Sequence, residues 1–117
     1  MKFSSKSFTI LGLAGILFLG FSSCTFTRDN NNDASPKTHT IEIKQMSFSP
    51  SEVTVKKGDT IIFINHDPVD HDITEVDKKL WSSSPLHPGK TWSKEITESA
   101  NYYCSLHVVM KGKIIVQ

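Results

Sequence analysis

What this chain lacks narrows it first. It has only two cysteines, Cys24 and Cys104, where small exported domains usually use cysteines in pairs. It has no basic run: the formal net charge is +1, with Lys and Asp/Glu interspersed along the chain. That excludes nucleic acid as a partner, which needs a concentrated cationic surface. No stretch of ten or more residues combines helical apolar spacing with caps, and only "EVDKKLW" could form a turn of helix. There is no internal repeat. No apolar run reaches the roughly 20 residues that a membrane-spanning helix needs. At 117 residues the chain has room for one domain.

The N-terminus accounts for part of that length. Lys2 and Lys6 precede an apolar stretch, "FTILGLAGILFLGF", from Phe8 to Phe21. A basic region ahead of a short apolar one fits a secretory signal. The next residues, "FSSC", place small side chains directly before Cys24. This resembles the lipobox of bacterial lipoproteins, in which the cysteine is lipidated and becomes the new N-terminus, although Phe21 stands where Leu is usual. The expected division is a lipoprotein-type signal peptide over 1–23, a lipidated Cys24 and flexible tether over 24–37, and a folded domain over 38–117. The tether follows from "TFTRDNNNDASPK", which is polar and has no apolar periodicity. Stable anchoring takes more than one acyl chain. The expected location is therefore outside the cytoplasm of a bacterium, membrane-anchored and facing the periplasm or the cell exterior. With Cys24 lipidated, Cys104 has no disulfide partner in the chain. An odd thiol in an oxidising compartment needs protection, and a metal would provide it.

Over 38–117 the pattern is β throughout. "HTIEIKQMSF" alternates, with Ile41 and Ile43 on one side and Met46 packing within the same strand. "EVTVKKGDTIIFIN" holds two strands around a turn at Gly58, a residue suited to positive φ. "HDITEV", the strand after the Pro88-Gly89 turn, "ANYYCS" and "GKIIVQ" supply the rest. Short strands with turn signals every 8 to 12 residues indicate an all-β fold, a Greek-key β-sandwich or barrel of about seven to eight strands. The expected core is Ile41, Ile43, Phe48, Val53, Val55, Ile61, Phe63, Ile73, Ile96, Tyr103, Ile114 and Val116. Trp81, Trp92 and the tyrosine pair read as core and edge packing.

The chemistry gathers near the C-terminus. Cys104, His107 and Met110 recur at every third position between a strand ending near Cys104 and one starting near Lys113. A loop can curl such side chains toward one point, whereas a regular strand sends alternate residues to opposite faces. Thiolate and thioether are soft ligands and imidazole is borderline, a set that suits copper. One Cys, two His and a weak axial Met describe an electron-transfer copper site. The local set lacks one histidine, which a second loop must bring. His39 and His87 read as surface residues. His66 and His71 share "NHDPVDHDIT", and residue patterning separates them only modestly.

The stretch from Ile41 to Gln117 resembles the plastocyanin/amicyanin branch of the cupredoxins, the blue copper proteins. The matching pieces are "FSPSEVTVKKGDTIIFINHDPVDHDIT", "PGKTW" and "YYCSLHVVMKGKIIV". The resemblance implies that His71 is the first copper histidine, within the Asn65, Asp67 and His71-Asp72-Ile73 pattern. It implies a metal set of His71, Cys104, His107 and Met110 for one copper ion cycling between Cu(I) and Cu(II). Two residues between His107 and Met110 match amicyanin-like members. Leu106 stands where Pro is usual, which restores a backbone N–H near the Cys104 sulfur. Asp72 stands where Asn is common and is placed to accept a hydrogen bond from Ser105. By the same resemblance His107 is the electron port, inside an apolar docking patch of Pro68, Val69, Leu106, Val108 and Val109.

The implied function is one-electron transfer between redox proteins, donor and acceptor, with no substrate turned over. A monomer is expected, attached to the membrane through its lipid. A copper carrier or storage module would use the same ligands and is the alternative. A metal-free adhesion sandwich leaves the unpaired thiol without a purpose.

Overall fold

The computed structural model describes residues 35–117, together with Gly15 and Gly20. The expected signal peptide, Cys24 and most of the tether lie outside the described residues. Eight strands follow in order: β1 (Thr38–Lys44), β2 (Ser47–Ser49), β3 (Glu52–Val55), β4 (Thr60–Asn65), β5 (Thr74–Glu75), β6 (Thr91–Glu95), β7 (Ala100–Cys104) and β8 (His107–Val116). They form two four-stranded sheets, β2-β1-β4-β6 and β3-β8-β7-β5. Each is mixed: β1 runs parallel to β4 and β3 parallel to β8, and the other pairs are antiparallel. No helix occurs among the described residues, so "EVDKKLW" forms bends rather than a helical turn.

Strand alternation assembles the core. In β4, Ile61, Phe63 and Asn65 point inward while Thr60, Ile62 and Ile64 are half-buried. Ile41 and Ile43 of β1 and Phe48 of β2 join them, facing Val55, Tyr102, Cys104, Met110 and Ile114 from the other sheet. Burying each large apolar side chain contributes about 1.5–3 kcal/mol. The Tyr102 ring meets Phe48 edge-on at 4.8 Å and Phe63 at 5.5 Å between centroids.

Several expectations are corrected. Tyr102, not Tyr103, is the buried tyrosine: Cys104 faces inward, and a period of two takes Tyr102 with it and turns Tyr103 away. Leu86 joins the core, and Val53 and Val116 pack at its margin. "HDITEV" yields only the two-residue β5, because Ile73 donates its N–H to Ser83 Oγ and the Glu75 carboxylate accepts from Asp77, Lys78 and Leu80 N–H groups. The first strand stops at Lys44, where Gln45 and Met46 form a turn to β2, so Met46 is exposed. The last strand begins at His107, well before Lys113.

At the end of the sandwich where β4 begins, Asp59 holds the backbone just ahead of β1 in place. Its carboxylate accepts N–H groups from Lys37 and Lys56 and bonds His39 Nε2 at 2.8 Å. His39, expected at the surface, is therefore half-buried. The Lys37 N–H first, then His39 and the Lys56 N–H, pull the Asp59 pKa down from 3.8 to about 2. A carboxyl depressed on folding contributes stability present above its unfolded value and lost as pH falls through the folded one. Unfolding measured by urea between pH 4 and 2 should thus be less pH-dependent in Asp59→Asn than in the parent, and an equal slope would contradict the assignment.

The Tyr102 hydroxyl, buried and raised above its ordinary pKa by desolvation, lies across β8 at Gly112. A Cβ on Gly112 would meet the tyrosine ring at 2.1 Å. The Gly112→Ala protein should lose at least about 1–3 kcal/mol of stability through overpacking, read from the shift of its urea midpoint; no loss would show that the ring moves freely.

Candidate metal centre

The centre forms beyond the far end of β4, about 20 Å along that strand from Asp59 at ~3.3 Å per residue. Asn65 closes β4 and is fully buried. Its side-chain amide donates to the Val69 and Leu86 carbonyls, each at 2.8 Å, and its Oδ1 accepts the Asp67 N–H at 2.9 Å. These bonds shape the loop that delivers His71. There a two-way backbone pairing with Leu86, 3.2 and 2.7 Å, fixes the main chain. The His71 ring is 0% exposed. Its Nε2 lies 2.8 Å from Asp67 Oδ2 and its Nδ1 lies 3.7 Å from Cys104 Sγ. Burial works to raise the Asp67 pKa, but the Met46 N–H, the His71 ring and the Gln45 N–H outweigh it and hold the carboxyl below its ordinary value.

Cys104 ends β7 and is fully buried. A tight Ser105-Leu106 turn then returns the chain, with Cys104 and His107 as direct partners. His107 Nδ1 lies 3.8 Å from Cys104 Sγ, and the two histidine rings meet at 4.9 Å between centroids. Tyr103 pairs with Lys111 while its neighbour Cys104 pairs with His107, so Val108, Val109 and Met110 stand outside the regular ladder. This irregularity resolves the difficulty that a strand poses. It lets His107 turn toward the sulfur while Met110, three residues on and 2% exposed, also enters the interior. Val108 and Val109 are left outside, 63% and 83% exposed.

Asp72 joins the segment that carries His71 to the one that carries Cys104. Its N–H donates to Cys104 Sγ at 3.4 Å, and its carboxylate accepts the Ser105 N–H at 2.6 Å and the Ser105 hydroxyl. Among the described residues the backbone N–H bonded to the sulfur is that of Asp72, and Leu106 supplies none.

The donor atoms of His71, Cys104 and His107 all lie within 4.8 Å of one another. A single thiol proton cannot serve both imidazoles. Separations of 3.7 and 3.8 Å do fit one ion bonded to each donor at ~2.0–2.3 Å. The remaining histidines stand apart: His66 is exposed near Glu42 Oε1 at 3.6 Å, and exposed His87 bonds Asp70. Pro68, Val69 and Leu106 are exposed as expected of surface groups. The bracing roles of Asn65 and Asp67 went unread in the sequence, although an acidic residue four positions before His71 was the available signal.

A β-sandwich that buries a thiol against two imidazole nitrogens is a protein built around a soft metal centre. The comparisons place it more closely. The cupredoxin-like domain family matches residues 13–116, and the chain belongs to that family. It is 29% identical over 83 residues to amicyanin of Paracoccus denitrificans, covering 66% of this chain and 63% of that protein. The chain thus spans just under two thirds of the length of that relative. It is 28% identical over 119 residues to the chloroplastic plastocyanin of Chlamydomonas reinhardtii, covering 90% and 81%. Among solved structures, a reduced tryptophan-to-tyrosine variant of amicyanin superposes with TM-score 0.65 at 27% identity, covering 68% of this chain and 82% of that one. A purple cupredoxin from Nitrosopumilus maritimus gives 0.62 at 27%, covering 67% and 98%.

Because Asp72 is buried and holds the Ser105 turn by two hydrogen bonds, Asp72→Ala should destabilise the copper-free protein by about 1–3 kcal/mol in urea unfolding, with Asp72→Asn milder. Equal stability of all three would show that the bridge is not a brace.

Proposed function

We propose that this domain is a type 1 (blue) copper electron-transfer protein, with His71, Cys104, His107 and Met110 holding one copper ion. The observation that carries the reading is the convergence of Cys104 Sγ with the Nδ1 atoms of His71 and His107, already formed inside a rigid sandwich. Family membership and the likeness to amicyanin and plastocyanin support it, as do solved Cu(I) forms of amicyanin variants with TM-scores of 0.64 and 0.65.

Bound copper supplies a one-electron couple. Cys104 serves as the thiolate donor, His71 and His107 offer Nδ1, and Met110 offers a buried thioether, a soft and borderline set matched to that metal. Asp72 and Asn65 hold the two donor segments in one arrangement, so gain or loss of an electron demands little movement of the chain. All four positions are filled by protein, which leaves no place for a substrate. His107 is half-buried and borders exposed Leu106, Val108 and Val109, with Pro68 and Val69 on the neighbouring loop. Apolar groups of this kind suit a brief, small interface with a redox partner. The protein acts as a monomer outside the cytoplasm, held at the membrane by lipid on Cys24.

The test is a Cu(II) titration of residues 25–117, followed by visible absorption and electron paramagnetic resonance. An intense blue thiolate-to-copper band with narrow hyperfine splitting should form, be lost in Cys104→Ala and His71→Ala, and persist in His66→Ala. A colourless product that passes Cu(I) rapidly to an apo-acceptor would favour copper carriage instead.

A further inference from the structure

The β1–β2 turn is where this chain most plainly breaks a local rule. A two-residue hairpin loop of type I′ requires left-handed backbone at both central positions, which Asn-Gly or Asp-Gly adopts readily. Gln45 and Met46 hold φ of 52° and 58° instead, and neither is glycine. Met46 is 42% exposed, so packing of its side chain does not account for the conformation. The Asp67 carboxylate does: Oδ1 accepts the Gln45 N–H at 2.6 Å and Oδ2 accepts the Met46 N–H at 2.9 Å. The same Oδ2 lies 2.8 Å from His71 Nε2. Asp67 is itself fixed through its N–H to Asn65 Oδ1. One buried carboxylate therefore serves three fixed donors, two on an exposed turn and one on a buried imidazole.

We propose that Asp67 is a positioning residue for the metal centre, holding His71 as the Nε2–H tautomer with its Nδ1 lone pair toward Cys104 and tying that orientation to the β1–β2 turn. The inference rests on the copper reading above. At 0% exposed the His71 ring is closed to solvent, so its two polar neighbours decide which nitrogen keeps the proton. The Asp67 carboxylate at 2.8 Å is nearer, and a stronger acceptor, than the Cys104 sulfur at 3.7 Å. Donation of Nε2–H to a carboxylate makes the other nitrogen a more basic ligand. That favours Cu(II) over Cu(I), and Asp67 thereby holds the reduction potential down. The turn and the ligand share one acceptor, so the exposed hairpin is part of the support of the buried site.

The experiment separates the structural role from the positioning role. Gln45→Asn with Met46→Gly builds a turn that adopts left-handed backbone unaided, and Asp67→Asn is then made with and without it. In the copper-free parent, nitrogen-15 NMR should show His71 as a single Nε2–H tautomer; in the triple variant it should show a mixture. Loss of an outer partner of this kind typically weakens metal affinity 10- to 100-fold. Where the loss falls on Cu(II) relative to Cu(I), each tenfold raises the potential by about 59 mV for a one-electron couple. The turn variant alone should match the parent in both tautomer and potential. An Nδ1–H tautomer in the copper-free parent, or an unchanged tautomer and potential in the triple variant, would overturn the proposal and leave Asp67 as a support of the turn only. If no blue centre forms in the parent, the copper reading fails separately, because the tautomer of the copper-free protein still decides the role of Asp67.

Discussion

A β-strand sends alternate side chains to opposite faces, yet His107 and Met110, an odd number of residues apart, both belong to the interior end of β8. The metal centre depends on the break in pairing that reconciles these facts. Tyr103 and Cys104 are consecutive, but their partners Lys111 and His107 are not. The three residues left between those partners arch out of the ladder, carrying Val108 and Val109 outward and returning Met110 inward. Irregularities of this kind re-aim side chains at sheet rims and beside functional sites. Without it, a regular hairpin would send His107 and Met110 to opposite faces.

The rest of the site is an exercise in satisfying buried polar groups. An imidazole and a thiol in an apolar interior are costly unless every other polar group around them has a partner. Asn65 meets two carbonyls and one N–H, Asp72 meets Ser105 twice, and Asp67 meets two turn N–H groups and a ring nitrogen. Each such bond fixes the direction of a donor rather than adding one. A buried network fully satisfied in this way is rigid, and it holds the sulfur and the two ring nitrogens in one arrangement. On the copper proposal, the Asp67 carboxylate at His71 Nε2 and the Asp72 N–H to sulfur would act in opposite directions, the first favouring the oxidised metal and the second the reduced one.

Much of this was legible from residues alone. A sandwich of about seven to eight strands followed from short alternating runs, and eight form because the first run divides into β1 and β2. Gly58 and Gly89 do adopt the positive φ, 95° and 79°, that their turns required. Tyr102 shows where reading stopped. Adjacent tyrosines are chemically equal in sequence, and only knowing that Cys104 faces inward decides which of them is buried. The bend of "HDITEV" into a two-residue strand was equally hidden, because the Ser83 hydroxyl and the Glu75 carboxylate that divert its backbone bonds are competitors that no local pattern reveals.

By itself the sequence determined the fold class, the donor types and the turns at Gly58 and Gly89, since those depend on local periodicity and on side-chain chemistry. Tertiary structure decided which histidine meets the thiol, which nitrogen of its ring faces inward, and which carboxylates brace the pair. His66 and His71 differ by five positions in one polar segment, but only His71 is carried inside, by backbone pairing to Leu86. That choice rests on contacts between residues far apart in the chain, Asp72 with Ser105 and Asp67 with Gln45, and such contacts exist only once distant strands have paired, β5 with β7 and β1 with β4.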